Sequence, residues 1–178
     1  MTDDLDLANR AARGDAAAFG TLLERHYDLI YRFAFRFLGS RQDAEDLTQE
    51  ICVSLAAKLA SFRGTSALTT WLYKVTLNSA RDFHRRAVTR AAKNVAFGEH
   101  AALTRDAATD HSSRAGWMYD ALATLSDDLR ETTLLVVAEG LNHAEAARVL
   151  GVAEKTVSWR LHEARKKLSS LVSSDYER

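Results

Sequence analysis

The chain has 178 residues, 24 Lys and Arg balanced by 24 Asp and Glu, and 47% hydrophobic residues, which is enough to bury a core in one or two domains and excludes a disordered chain. Proline is absent and helix formers such as Ala, Leu and Arg abound, so an all-α fold is expected rather than a sheet with proline-marked turns. No apolar run approaches the roughly 18 residues of a membrane span, and no basic start leads into an apolar stretch, so no membrane insertion, no secretory signal and a cytoplasmic location are expected.

The N-terminal part reads as four helices. Leu5, Leu7, Ala8, Ala11 and Ala12 form a short first helix ended by Gly14. Asp15 can cap a second, which is expected to bury Phe19, Leu22, Leu23, Tyr27, Ile30, Phe33, Ala34 and Phe37 and to stop at Gly39. A third begins near Ser40 and runs to about Leu59, with Ala44, Leu47, Ile51 and Leu55 inward. Its outer side carries Asp43, Asp46 and Glu50 at steps of three and four, with Gln49 beside them and Glu45 further round. Carboxylates this close repel, so the stripe calls for a basic protein surface or a cation as counterpart. Cys52 on this helix has no cysteine to pair with and no metal-ligand companions, so it is read as a small buried apolar residue, and neither a structural metal nor a cofactor is expected.

The fourth helix is expected over about Ala67 to Arg86. Leu68, Leu72, Val75, Ser79 and Phe83 make one side, read as inward. Trp71, Lys74, Asn78, Arg81 and Arg85 make a second stripe, with Asp82 at its edge. Rings for exposed bases, cations for phosphates and an amide for a base edge are what single-stranded nucleic acid requires. Just ahead, Phe62-Arg63-Gly64-Thr65-Ser66 makes a loop in which Gly64 permits close approach, and Phe62 and Ser66 can enclose an unstacked base.

Residues 89–115 mix Ala, Thr, Asp, Ser and His around Gly98 without a sustained apolar period, and read as a flexible linker between an N-terminal unit, 1–88, and a C-terminal unit, 116–173. In the C-terminal unit Ser126 is placed to cap a helix starting at Asp127. Asn142 with Glu145 forms a capping-box pattern, and Gly151 supplies a left-handed stop. A following helix puts Val157, Leu161, Ala164 and Leu168 on one inward stripe, leaving Lys155, Ser158, Trp159, His162 and Lys166 for the opposite face. Two short helices joined by a tight glycine turn are the pattern of a helix-turn-helix, whose second helix reads a DNA major groove.

The zero net charge hides a partition. Lys and Arg against Asp and Glu stand at 7 to 10 over residues 1–60, 7 to 1 over 61–93, 2 to 6 over 94–128 and 8 to 7 over 129–178. A second basic concentration lies at 155–167, where five basic residues face only Glu163. Two basic surfaces flanking an acidic connector suit a protein that holds nucleic acid at two places.

In order and spacing, Asp43-Ala44-Glu45-Asp46-Leu47-Thr48-Gln49-Glu50, then Phe62-Arg63-Gly64 and Thr70-Trp71-Leu72, then the C-terminal helix-turn-helix, the chain resembles a bacterial RNA polymerase sigma factor of the extracytoplasmic-function group of the sigma-70 family. The resemblance implies a helical region two over the N-terminal unit and a helix-turn-helix region four over the C-terminal one. It implies core polymerase as partner, with Asp43, Asp46, Gln49 and Glu50 on the clamp helices of the β′ subunit and region four on the β flap. Promoter DNA is the second implied partner. Phe62, Arg63, Gly64, Ser66, Trp71 and Asn78 would lie at the melted minus-ten strand, with Arg81, Arg85 and Arg86 near its phosphates. Lys155, Ser158, Trp159, Arg160, His162 and Arg165 would lie at the minus-thirty-five duplex. An inhibiting anti-sigma protein is the third implied partner.

Two other classes fit parts of the pattern. A stand-alone helix-turn-helix regulator would bind specific duplex without polymerase. A metal-dependent nuclease would need Asp43, Asp46 and Glu50 to converge, and carboxylates strung along one exposed helix face do not converge as a two-metal clamp does.

Overall fold

Capping residues set most helix boundaries in the computed structural model, which describes residues 3–96 and 120–176, with the side chains of 91–96 and 172–176 left aside. The chain divides into two compact units, Met1–Asp106 and Ala107–Arg178, and the described residues contain no strand.

The first unit holds α1 (Asp4–Ala12), α2 (Ala16–Leu38), α3 (Arg41–Leu59) and α4 (Leu68–Ala96). The Asp15 carboxylate accepts from the Ala18 N–H at the start of α2, Gly39 closes α2 in the left-handed region, and Ser40 Oγ accepts from the Asp43 N–H at the start of α3. Each contact satisfies a backbone group that the helix itself leaves unpaired. Ala44, Leu47, Ile51 and Leu55 of α3 are buried as their spacing requires, against Leu22, Ile30 and Ala34 of α2 and Leu72 and Ala80 of α4. Cys52 is half-buried rather than buried, and what burial it has pushes its thiol pKa up.

On α1, Leu7, Ala8 and Ala11 pack inward, while Leu5 and Ala12 are exposed. Three readings are corrected. On α2, Tyr27 is exposed and the neighbouring His26 is buried in its place, because Asp4 of α1 supplies a polar partner 2.8 Å from its Nε2. On α4 the deepest stripe is Leu72, Tyr73, Thr76, Leu77 and Ala80; of the side expected inward, Leu68 and Leu72 are buried but Val75, Ser79 and Phe83 are not. At roughly 100° per residue this is a rotation of about a quarter turn, which leaves Val75, Ser79 and Phe83 half-buried. The Thr76 hydroxyl is tolerated in that core because it donates to the Leu72 carbonyl at 2.8 Å. Finally, α4 continues ten residues past Arg86 to Ala96, so residues 89–96 are helical; the rest of the expected linker lies outside the described residues.

The second unit holds a helical stretch at 120–123, α5 (Asp127–Thr133), a π-helical turn (Leu134–Ala138), α6 (His143–Leu150) and α7 (Glu154–Tyr176). Ser126 occupies the cap position of α5, but its side chain makes no capping bond there. At α6 the reciprocal box is complete: Asn142 Oδ1 accepts from the Glu145 N–H and Glu145 Oε2 from the Asn142 N–H, both at 2.9 Å. Gly151 ends α6 at φ 70°, a conformation costly for a residue with a Cβ, and the turn delivers the chain into α7. Val157 and Ala164 are fully buried on α7, and Leu161 and Leu168 half-buried, against α5 and α6.

The α1–α2 junction is held by charge as well as packing. Asp4 accepts from Arg25 Nη1 at 2.9 Å and from His26, and although burial works to raise its pKa, those hydrogen bonds and charges outweigh it and hold the carboxyl below its ordinary value. A depressed carboxylate contributes stability above its unfolded pKa and loses it as pH falls through its folded pKa. The Asp4→Asn variant is therefore expected to melt below the wild type at neutral pH, and the gap to close as pH falls below about 4, read from thermal denaturation curves across pH.

Candidate nucleic-acid interface

On α3 the phase that buries Leu47 and Ile51 turns Asp46, Gln49 and Glu50 outward, with Asp43 half-exposed at the edge. These residues line a groove with Val53 and Ser54, and its far wall is the C-terminal half of α4: Phe83, Arg86, Ala87 and Arg90. Val53 is 85% exposed, so the groove offers an apolar contact among its carboxylates. Arg86 Nη2 lies 2.8 Å from Glu50 Oε2, and the Arg86 guanidinium also sits 5.7 Å above the Phe83 ring. Arg86, which the resemblance places near the minus-ten phosphates, stands on the α3-facing flank of α4, in the acidic groove. The two partners of the Glu50–Arg86 pair are each about half exposed, so the pair contributes under about 1 kcal/mol and yields readily to a competing basic surface.

The Trp71 stripe faces elsewhere. Lys74, Asn78 and Arg85 are exposed, and Trp71 and Arg81 half-buried, along one side of α4. Arg85 pairs with Asp82 one turn back, which holds its guanidinium along the helix. Trp71 is partly core: one side packs on the hydrophobic cluster of the unit, and the Phe62 ring sits against it at 5.4 Å between centroids. Phe62 and Trp71 therefore form one tilted aromatic platform. Arg63 and Gly64 are exposed beside it, and Ser66 is half-buried with its hydroxyl donating to the Ala67 carbonyl at 3.3 Å. Gly64 adopts φ 67°, so the loop reverses at the position that needed a residue without a Cβ.

In the second unit, Lys155, Ser158, Trp159, His162, Arg165 and Lys166 are all exposed on α7, and Trp159 keeps 59% of its surface open. Ser158 Oγ meets His143 Nδ1 at 3.0 Å, which ties the first turn of α6 to the outward face of α7. His143 was not among the residues picked from the sequence; its place at the first position of α6 was visible, but its proximity to Ser158 depends on the helix crossing. Arg160 departs from expectation. Its side chain is only 12% exposed and Nη2 bonds Asp128 Oδ2 of α5 at 2.6 Å, so it braces the helix-turn-helix instead of joining the open face. Among the described residues no group of three His, Cys, Asp or Glu side chains is placed to hold a metal ion, and no helix is long and apolar enough to cross a membrane.

Sigma-70 region 2 matches residues 22–90, and Sigma-70, region 4 matches residues 115–168. The RNA polymerase sigma factor NccH of Alcaligenes xylosoxydans xylosoxydans is 33% identical, over 98% of this chain and 98% of that protein. The ECF RNA polymerase sigma factor SigM of Mycobacterium tuberculosis is 32% identical, over 95% of this chain and 84% of that one. Among solved structures, CnrH in complex with the cytosolic domain of CnrY aligns with a TM-score of 0.74 at 31% identity, covering 97% of this chain and 98% of that one. The sigma factor RpoE of Bartonella quintana, in complex with the anti-sigma factor NepR, aligns with a TM-score of 0.68 at 28% identity, covering 88% and 98%.

The brace between α5 and α7 separates stability from recognition. Arg160→Ala is expected to destabilise the second unit by about 1–2 kcal/mol through loss of its packed stem and of the pair with Asp128. Lys155→Ala, on the open face, is expected to change stability by less than about 0.5 kcal/mol. Denaturant unfolding of the two variants checks both. With helices, caps and both regions in place along the chain, this protein belongs to the sigma-70 family of RNA polymerase sigma factors, in its extracytoplasmic-function group.

Proposed function

We propose that this sigma factor, which binds core polymerase, directs it to specific promoters and assists their opening, divides that work among three of its own surfaces. The acidic groove of Asp43, Asp46, Gln49 and Glu50 docks on a basic coiled coil of the β′ subunit. Of its carboxylates Glu50 is engaged by a weak, exchangeable pair with Arg86, and Val53 supplies apolar area. The Phe62–Trp71 platform, with Arg63, Gly64, Ser66 and Asn78 around it and Arg81 and Arg85 further along α4, receives the melted minus-ten strand. The face of Lys155, Ser158, Trp159, His162 and Arg165 reads the minus-thirty-five duplex while the unit rests on the β flap. The work takes place where the polymerase is, in the cytoplasm, and it is specificity rather than catalysis.

One observation supports the minus-ten assignment above the rest. The platform is assembled before any strand arrives, with both aromatics packed against the core and their rings tilted against each other, so that a flipped base meets a surface already ordered. Unstacking a base costs a few kcal/mol and stacking on an aromatic side chain returns about 1–3 kcal/mol, so one trapped base shifts the opening equilibrium by a useful factor.

A regulator that bound duplex without polymerase would leave the acidic groove without a task, which counts against that alternative. The RpoE relative was solved with an anti-sigma factor, and a protein inhibitor of that kind, covering the polymerase-facing groove, is part of this proposal.

Mixing the purified chain with bacterial core polymerase and measuring run-off transcription over a promoter library tests the reading as a whole. Initiation from defined sites supports it, and duplex binding without initiation overturns it. Trp71→Ala is expected to cut open-complex formation about tenfold while core binding stays within about twofold, with Trp71→Phe intermediate; equal loss of both would remove Trp71 from the strand-receiving surface. Asp46→Arg is expected to weaken core binding about tenfold, more at low salt than at high, in a titration of core polymerase.

A further inference from the structure

Helix α1 precedes the residues that match region 2, yet it touches the loop at Gly64. A Cβ at Gly64 would find its three nearest neighbours all in Leu5: Cδ1 at 2.9 Å, Cδ2 at 3.7 Å and Cγ at 3.9 Å. Leu5 is 41% exposed and so contributes little to the core that Leu7, Ala8 and Ala11 of the same helix complete. Nor is α1 free to shift. Asp4, the residue before Leu5, is bonded to Arg25 at 2.9 Å and lies 2.8 Å from His26 on α2, and Arg10 grips the Asp15 carboxylate with Nε at 2.9 Å and Nη2 at 2.8 Å. A fixed helix thus presents one apolar side chain to the backbone of the loop at its point of reversal. From the other side, Phe62 anchors the same loop on Trp71.

We propose that Leu5 is a positioning residue for promoter opening. Closed over Gly64, it holds the 62–66 loop in the shape that receives a flipped base, so that α1 serves strand capture without touching DNA. The inference rests on the assignment of that loop to the minus-ten strand made above. Its energetic logic is pre-organisation: a loop held at two points loses less freedom when a base enters than a loop held at one, and small misplacements of a receiving surface carry large rate penalties.

The full-length chain is tested with core polymerase on one promoter in two forms, fully duplex and mismatched across the minus-ten element. Leu5→Ala is expected to leave core binding and melting temperature unchanged, to lower opening of the duplex about fivefold, and to return to within about twofold of wild type on the mismatched template, where no strand need be captured to open it. Leu5→Met, which refills the space over Gly64, is expected to open the duplex like wild type. Phe62→Ala serves as the test of the loop itself. If Phe62→Ala impairs opening and Leu5→Ala does not, the role of α1 is overturned while the loop keeps its assignment. If Phe62→Ala leaves opening intact, the loop assignment fails and takes this inference with it. If Leu5→Ala loses core binding in parallel, or its defect persists on the mismatched template, Leu5 supports the fold in general and the inference is overturned.

Discussion

Phe33 has no exposed surface, and the Tyr73 ring meets it edge-on at 5.5 Å between centroids, the geometry that places the positive rim of one ring on the negative face of the other. That contact joins α2 to α4 and sets the rotation of α4 about its own axis, on which the outer surfaces of the first unit depend. With Tyr73 inward, Leu72, Thr76, Leu77 and Ala80 follow it into the core. Lys74, Asn78 and Arg85 are carried to the far side, Trp71 is left at the boundary, and Phe83, Arg86, Ala87 and Arg90 are turned onto the flank that faces α3. One helix thereby presents two chemically different faces, a cationic and aromatic stripe and the basic wall of an acidic groove. A rotation by one residue would mix them.

Local chemistry was legible in the sequence, and tertiary placement was not. Asp15, Ser40, the Asn142–Glu145 box, Gly39 and Gly151 act within a turn of their own position, so residue type and spacing suffice to find them. The phase of α3 was also legible, because the polar outer face of that helix left its apolar residues on a single side. The phase of α4 was not. Its apolar and aromatic residues surround most of the helix, and choosing between Val75, Ser79 and Phe83 on one side and Tyr73, Thr76 and Leu77 on another requires knowing that Phe33 waits opposite Tyr73. The internal partners of Arg86 and Arg160 were hidden for a related reason. A basic residue on a helix looks available to phosphate until a carboxylate from another helix is found beside it, as Glu50 and Asp128 are. His26 buried and Tyr27 exposed invert the hydropathy order, and only Asp4, 22 positions earlier, explains it.

The charges divide by how tightly they are held, and the division follows exposure. Arg160 is nearly covered, and removing Asp128, which is itself well exposed, strands the guanidinium in a poorly solvated place. Glu50–Arg86 and Asp82–Arg85 lie in water, where competing solvent and salt leave each pair worth little. The first kind suits a brace and the second a surface that must trade its internal partner for an external one. Both units combine the two: an acidic groove and a cationic stripe that release their charges cheaply stand beside the anchored Asp4 junction, and an open face on α7 stands beside the Arg160 brace.

Strand capture then places a demand on the first unit that charge alone does not meet. Phosphate attraction does not favour a melted strand over the more densely charged duplex, so cations such as Arg81 and Arg85 would not by themselves shift an opening equilibrium toward the melted form. Selection for the melted form needs a surface that gains only when a base has left its stack, and an aromatic face is such a surface, because a base inside the duplex has no free face to offer it. The gain survives only if the face need not be assembled at that moment. Phe62 packed on Trp71, with Trp71 itself set against the core of α2, α3 and α4, meets that condition, and under the proposed function the cations along the same helix would add attraction to a strand that the aromatic pair distinguishes.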